Sequence, residues 1–184
     1  IPDDLSIVIV NSNYPRKLVD SEYNQRRIDC EQAADKMSVD SLRDANIDSL
    51  NAACSTMTDN EYKRAHHVIT ENIRVLNAVD ALKNNDMQSL RQLMTASHQS
   101  LKNDFEVTIA ETDGLVEICQ TALGDKGAVR MTGGGFGGAI VCLCRHDDIA
   151  KIKDAVAKHY YARFNIHASI YVGKAGNGLQ VSLF

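Results

Sequence analysis

The hydrophobic and polar positions along the chain predict one strand followed by a run of helices. Leu5–Val10 is a short apolar stretch rich in β-branched residues, and the turn formers Asn11–Asn13 follow it. This pattern predicts a strand buried on both faces. Ser21–Met37 is polar and favours a helix, and residues 38–57 hold short amphipathic pieces that predict small helices.

Capping residues predict two long helices in the middle of the chain. Thr58 and Glu61 have the spacing of a capping box, and a broad apolar stripe follows them. The helix is expected to end near Asn84. Asp86 is the predicted N-cap of the next helix. The short connection predicts that the two helices pack as an antiparallel pair.

A second capping box, Thr108 with Glu111, predicts a further helix that Gly124 ends. The rest of the chain predicts four strands and a helix: strands at Ala128–Met131, Ala139–Cys144, Ala168–Val172 and Leu179–Leu183, and a helix from Asp147 to Phe164. Helices and antiparallel strands in separate runs predict an α+β fold, with one antiparallel sheet covered by helices on a face. A chain of 184 residues suits a single domain.

Charge and composition narrow the class of protein. The net charge is -4 and the pI about 5.8, so the surface lacks the positive field that nucleic-acid binding requires. No apolar run approaches the length of a membrane span, and no signal peptide is expected. The chain has five cysteines, an odd number, and they lie within apolar segments, unlike the disulfide framework of a secreted protein. This favours a reducing compartment, the cytoplasm. Cys142 and Cys144 are expected to be core residues rather than metal ligands.

The stretch RMTGGGFGGAIVCLC, Arg130–Cys144, is the strongest candidate for a functional site. It holds five of the eleven glycines: Gly133, Gly134, Gly135, Gly137 and Gly138. Their spacing fits G-x-G-x-x-G, but a strand follows instead of the helix that a dinucleotide site needs, and no Walker lysine is present. The glycines either form a tight turn or bring backbone amides against a ligand that carries phosphate or hydroxyl groups. Five glycines are more than a tight turn requires, so the interpretation that the loop contacts a ligand is favoured.

Several other polar side chains are expected to be structural. The histidines lack the i, i+4 spacing of a helical metal pair, and no metal site is predicted. Two carboxylates after the second long helix have no identifiable basic partner, so no acid–base role is expected for them. Two arginines in the first helix, near Tyr23, could reach an anion, but solvated charges on a helix face are commoner and are expected here. These residues are His66, His67, His98, Asp104, Glu106, Arg26 and Arg27.

Four stretches resemble galactokinases, in the order found in that family. They are NSNYPRKLVDSEYNQRR, RAHHVITENIRVLNA, LMTASHQSLKNDFEVT and RMTGGGFGG, which together cover nearly the whole chain. The glycine stretch resembles the third motif of the superfamily that also includes homoserine, mevalonate and phosphomevalonate kinases. The resemblance covers only the C-terminal half of a galactokinase.

The resemblance implies that residues 1–184 are the single C-terminal, ferredoxin-like domain of a longer protein. The N-terminal half would supply the catalytic residues and the ligands of ATP and Mg²⁺, so no catalytic or metal residue is expected in this chain. Tyr23 would contact the sugar, and the glycines would lie near the sugar and the transferred phosphate. The whole enzyme would use ATP and Mg²⁺ to convert α-D-galactose to galactose 1-phosphate, the first step of galactose breakdown.

The chain by itself is expected to be inactive and to need no cofactor. Its implied partners are galactose, ATP and its own N-terminal domain, without nucleic acid or membrane. Self-association through a surface that the N-terminal domain would cover stays open. Three alternatives also stay open: a galactose-sensing regulator without turnover, a kinase of N-acetylgalactosamine, and a free-standing interaction module.

Overall fold

The computed structural model of the protein describes residues 1, 2, 4–15 and 20–176. This part of the chain contains four strands, six α-helices and two short 3-10 turns. In chain order these are β1 (Leu5–Asn11), α1 (Asp20–Lys36), α2 (Ile47–Ala53), a 3-10 turn (Cys54–Thr56), α3 (Asp59–Lys83), α4 (Met87–Asn103), α5 (Ala110–Leu123), β2 (Gly127–Thr132), β3 (Ala139–Arg145), a 3-10 turn (His146–Asp148), α6 (Ile149–Phe164) and β4 (Ser169–Gly173).

The strands form one antiparallel sheet in the order β2-β3-β1-β4. The sheet and its helices confirm the predicted α+β class. One sheet face packs on α5 and α6 to form the main core, which contains Val8, Val10, Leu115, Cys119, Val129, Ile140, Cys142, Cys144, Ile152 and Val156. Cys142 and Cys144 are therefore core residues, as predicted. Burial raises the pKa of the Cys144 thiol to about 11.

Helices cover both faces of the sheet, so the expectation of helices on a single face is wrong. The antiparallel pair α3 and α4 packs on the opposite face, where Leu5 and Leu143 meet Ala81 and Leu90. The physical reason is the sequence of β1, which is apolar at nearly every position. Because successive side chains of a strand point to opposite faces, both faces of β1 are apolar and both are packed against helices. A third cluster joins α1, α2 and α3 beside the sheet and contains Ala33, Ala34, Leu42, Leu50, Ala65 and Ile69.

The predicted caps of the two long helices are confirmed. Thr58 Oγ1 accepts from the Glu61 amide at 3.3 Å, and the Thr58 amide donates to Glu61 Oε2 at 2.6 Å. Asp86 Oδ1 accepts from the Ser89 amide at 3.0 Å. The strand predicted at Leu179–Leu183 lies outside the described residues.

The predicted cap of α5 is wrong by one residue. The helix begins at Ala110 and its N-cap is Ile109, which has no polar side chain. The Thr112 hydroxyl accepts from the Ile109 amide at 3.2 Å and donates to the Ile109 carbonyl at 3.0 Å. Thr108 turns to the Asp113 carboxylate. The first-turn amides that an N-cap side chain normally serves therefore receive no side-chain cap in this helix.

Candidate functional site at the glycine loop

The glycine loop, residues 133–138, connects β2 to β3 at the end of the sheet where Thr132 pairs with Ala139. Four of its glycines have positive φ, and so does Phe136 at +52°. Gly133 and Gly134 are exposed, whereas Gly137 is buried. The loop is therefore anchored at one side and presents backbone amides to solvent at the other.

Gly135 shows why part of this loop cannot carry side chains. Its φ is +89°, and a Cβ there would lie 2.6 Å from Val107 Cβ and closer still to the Val107 carbonyl oxygen. The next residue, Phe136, donates its amide hydrogen to that same carbonyl at 2.6 Å. Glycine at this position is required both by the backbone angle and by the close approach of a second chain segment.

Tyr23 lies beside the glycine loop, on the first turns of α1. A Cβ at Gly134 would be 3.7 Å from the Tyr23 ring, and the ring is 56% exposed. The two parts of the chain that sequence analysis selected are thus brought together from 111 positions apart. A half-exposed phenol beside exposed amides can cover an apolar face of a ligand and exchange hydrogen bonds with its hydroxyls.

The end of β1 holds the far side of the loop. The Ser12 amide donates to the Gly138 carbonyl at 2.8 Å, and the buried Tyr160 hydroxyl donates to the Ser12 carbonyl at 2.9 Å. Burial raises the pKa of Tyr160 to about 12, so the phenol keeps the proton that it donates here. This contact ties the glycine loop to α6 through the core.

The segment 104–107 between α4 and α5, here called the support segment, carries groups that sequence analysis interpreted wrongly. The carboxylates of Asp104 and Glu106 do have basic partners, because His66 Nδ1 lies 3.1 Å from Asp104 Oδ2 and Arg64 Nη2 donates to Glu106 Oε2 at 2.7 Å. Arg64 Nη1 also donates to the backbone carbonyl of Asp104. Arg26 is not simply solvated either. It donates to the carbonyls of Phe105 at 2.7 Å and Glu106 at 3.1 Å.

These contacts change the electrostatics of the support segment. The hydrogen bond from Arg64 lowers the pKa of Glu106 below its usual range, so this carboxylate stays charged at neutral pH. Burial lowers the pKa of Arg26, and the neighbouring Arg64 adds to the shift. Arg27 behaves as expected, because it pairs with Glu31 at 2.8 Å on the exposed face of α1.

The histidines of α3 and α4 have structural roles, as predicted. Because the Ser100 hydroxyl donates to Asp104 at 2.7 Å, His67 Nδ1 is the donor in its 2.9 Å bond to Ser100. Burial lowers the pKa of His67 to about 4. His98 is buried, with its Nε2 3.4 Å from Asp113 Oδ1. Half-exposed His66 lies 3.1 Å from Asp104.

Two general features of the described residues bear on the site. Within residues 1, 2, 4–15 and 20–176, no group of three or more His, Cys, Asp or Glu side chains is arranged to hold a metal ion. In the same part of the chain, every helix is too short or too polar to cross a membrane.

Comparison with known proteins shows which families the chain resembles. The family model described as the GHMP kinases C terminal matches residues 78–162. Galactokinase from Haemophilus influenzae is 45% identical over 98% of this chain, and that from Glaesserella parasuis is 46% identical over the same share. Over residues 78–162 the chain is therefore similar to the C-terminal domain of GHMP kinases. It spans 48% of the length of these curated relatives.

Two solved structures also resemble the chain. Lactococcus lactis galactokinase, solved in complex with galactose, has a TM-score of 0.87 and 35% identity over 95% of this chain and 46% of its own. The mevalonate kinase of L. major, solved with R-mevalonate, has a TM-score of 0.54 and 20% identity over 91% of this chain and 42% of its own. The second likeness shows a shared fold only.

Proposed function

We propose that this chain is the C-terminal half of a galactokinase. The observation that carries the proposal is the 45% identity to a galactokinase over 98% of the chain. The proximity of Tyr23 to the glycine loop supports it, because a sugar kinase needs a hydroxyl-binding group next to amides that face a phosphoryl group. The proposed reaction transfers the γ-phosphoryl group of ATP to the 1-hydroxyl of α-D-galactose and releases ADP.

Under this proposal the chain contributes positioning rather than reacting groups. Phosphoryl transfer is catalysed mainly by alignment of the two oxygens and by stabilisation of charge. The glycine loop would place its amides near the sugar and the transferred phosphate, and Tyr23 would hold the sugar. The residues proposed for these roles are Gly133, Gly134, Gly135, Gly137, Gly138 and Tyr23.

The proposal assigns the remaining machinery to the other half of the protein. ATP and Mg²⁺ would be held by an N-terminal domain, which is also the proposed partner of this chain, and the protein would act in the cytoplasm. The carboxylates near the glycine loop support this division, because Glu106 and Asp104 are engaged by Arg64, Lys63 and His66 rather than directed toward a metal.

The test compares the full-length protein with residues 1–184 alone. We expect the full-length protein with ATP and Mg²⁺ to produce galactose 1-phosphate, detected by ³¹P NMR, and the chain alone to produce none. A parallel assay with N-acetylgalactosamine distinguishes the two sugar kinases. A full-length protein that binds galactose but never phosphorylates it would favour the regulator and overturn the proposal.

Tyr23→Phe tests the sugar contact within the same protein. Loss of one hydroxyl hydrogen bond is expected to raise the KM for galactose by about 3- to 10-fold and to leave the KM for ATP unchanged. Tyr161→Phe is the matched control, since Tyr161 is also half-exposed but lies on α6 against His167. A galactose KM that is the same in both variants would remove Tyr23 from the site.

A further inference from the structure

We propose that Arg64 is a positioning residue for the glycine loop, acting through the support segment 104–107. Arg64 makes no contact with the loop itself. Its guanidinium holds the segment whose last residue, Val107, fixes Gly135 and Phe136. The inference rests on the proposed function for its catalytic consequence, whereas the mechanical link follows from the contacts alone.

The first step is the environment of Arg64. The residue is 1% exposed, in the second turn of α3, which is unusual for an arginine. Its Nη1 donates to the Asp104 carbonyl and its Nη2 to Glu106 Oε2 at 2.7 Å. Its Nε lies 3.8 Å from Asp29 Oδ2 on α1. One planar fork therefore joins α1, α3 and the support segment.

The second step is that the support segment has little backbone freedom left. Arg26 donates to the carbonyls of Phe105 and Glu106. These two residues lie between Asp104, whose carbonyl accepts from Arg64, and Val107, whose carbonyl accepts from the glycine loop. The Phe105 ring stacks on His67 with centroids 4.6 Å apart. Glu106 has a φ of +52°. A residue other than glycine keeps this backbone angle only when the surrounding structure holds it there.

The third step carries this order to the glycine loop. Val107 follows Glu106 directly and is buried. Its carbonyl accepts from the Phe136 amide at 2.6 Å, and its Cβ lies 2.6 Å from the position that a Cβ on Gly135 would take. The Arg26 guanidinium also lies 5.8 Å from the centre of the Phe136 ring. A shift of the support segment would therefore move the loop.

The chemistry of the contacts explains why an arginine occupies this position. A buried charge must be paired and hydrogen-bonded, and removal of one partner leaves the other uncompensated. Arg64 hydrogen-bonds a carbonyl and a carboxylate through its two terminal nitrogens, while its Nε lies 3.8 Å from the Asp29 carboxylate, close enough for charge attraction but too far for a hydrogen bond. A lysine ammonium is a single point charge and cannot span these three positions.

The experiment uses the full-length protein with Arg64→Gln and, because that change removes a buried charge, the milder Glu106→Gln. Arg74→Gln is the matched control, since Arg74 lies on the same helix and pairs with Glu71 at 2.6 Å, away from the loop. Steady-state kinetics give kcat and KM for both substrates. Hydrogen exchange measured by mass spectrometry reports the peptides that contain residues 133–138.

We expect folded Arg64→Gln to lower kcat by about 10- to 100-fold with smaller changes in KM, because displaced amides misalign the reacting groups. The glycine-loop peptides should exchange faster, and Glu106→Gln should show the same changes to a lesser degree. Arg74→Gln should leave kcat and loop exchange as in the wild type.

Several results would overturn the inference. The first is folded Arg64→Gln with kcat and loop exchange equal to the wild type, and the second is faster exchange with unchanged kcat. If Arg64→Gln fails to fold, Glu106→Gln decides by the same two measurements. If the wild type phosphorylates no galactose, the proposed function fails, and exchange in the loop peptides alone decides the mechanical link.

Discussion

Gly135 is the residue at which backbone angle and packing make the same demand. Gly135→Val would require a β-branched side chain at a φ of +89° and would place its Cβ 2.6 Å from Val107 Cβ. We expect kcat of the full-length protein to fall by on the order of 100-fold, because the loop must move away from Val107. Circular dichroism should show that the fold is retained.

Gly124→Val separates backbone strain from loop displacement. Gly124 also has a positive φ, +58°, but nothing lies within 4 Å of the position that its Cβ would take. The expected cost is about 1–3 kcal/mol of unfolding free energy with normal kcat. Normal turnover in Gly135→Val would contradict the role assigned to the loop.

His67 makes stability depend on pH. Burial lowers its folded-state pKa from 6.5 to about 4, so the fold favours the neutral ring. Its stabilising contribution is fully present above pH 6.5 and is lost as the pH falls toward 4, by up to about 3 kcal/mol. Urea unfolding of the chain at pH 7 and pH 5 measures this loss.

His67→Gln should reduce the difference in unfolding free energy between pH 7 and pH 5. His159→Gln, at an exposed position on α6, is the control and should keep the full difference. Equal pH dependence in the wild type and His67→Gln would show that another group is responsible.

The glycine loop and Tyr23 could be found from sequence because each stands in a short, distinctive stretch. The partners of Arg64 could not. Asp104 and Glu106 lie 40 and 42 positions away, and they meet the guanidinium only because α3 and α4 pack antiparallel and the chain then turns back. The spacing of residues along the chain cannot predict a contact that forms only where two helices pack together.

At the scale of elements, the start of α3 offers a direct test of local signals. Thr58→Ala removes the hydroxyl that caps the Glu61 amide, and Glu61 also accepts from Lys36 at 2.5 Å. We expect a loss of about 1 kcal/mol in the urea unfolding free energy of the chain. Thr56→Ala, in the exposed turn before the helix, is the control. Equal losses in both variants would contradict a specific cap.

The secondary-structure elements also differ in how well the sequence predicts them. The caps of α3 and α4 were predicted correctly because each depends on side chains three residues apart. The cap of α5 was misplaced because the Thr108 side chain bonds the Asp113 carboxylate and the helix begins one residue later, at Ala110. The apolar run of β1 predicted burial on both of its faces, but which helices cover each face depends on how α3 and α4 pack, which the strand pattern does not specify.

At the scale of the whole molecule, α3 presents an apolar surface that nothing in the described chain covers. Ile73, Val75, Leu76 and Val79 are all exposed, although the same helix buries Ala65 and Ile69 toward α1. The apolar stripe of α3 therefore predicted the helix correctly but not its burial. Contiguous exposed apolar side chains favour association with another surface.

We therefore expect the 184-residue chain by itself to self-associate through this part of α3. Leu76→Glu places a charge on a side chain that is 69% exposed and should shift sedimentation equilibrium toward the monomer mass without loss of helix content. Asn77→Glu is the control, because it adds the same charge at the adjacent exposed position. A monomeric wild type would contradict the predicted self-association. Equal dissociation of both variants would show that the added charge, rather than loss of the apolar side chain, accounts for the effect.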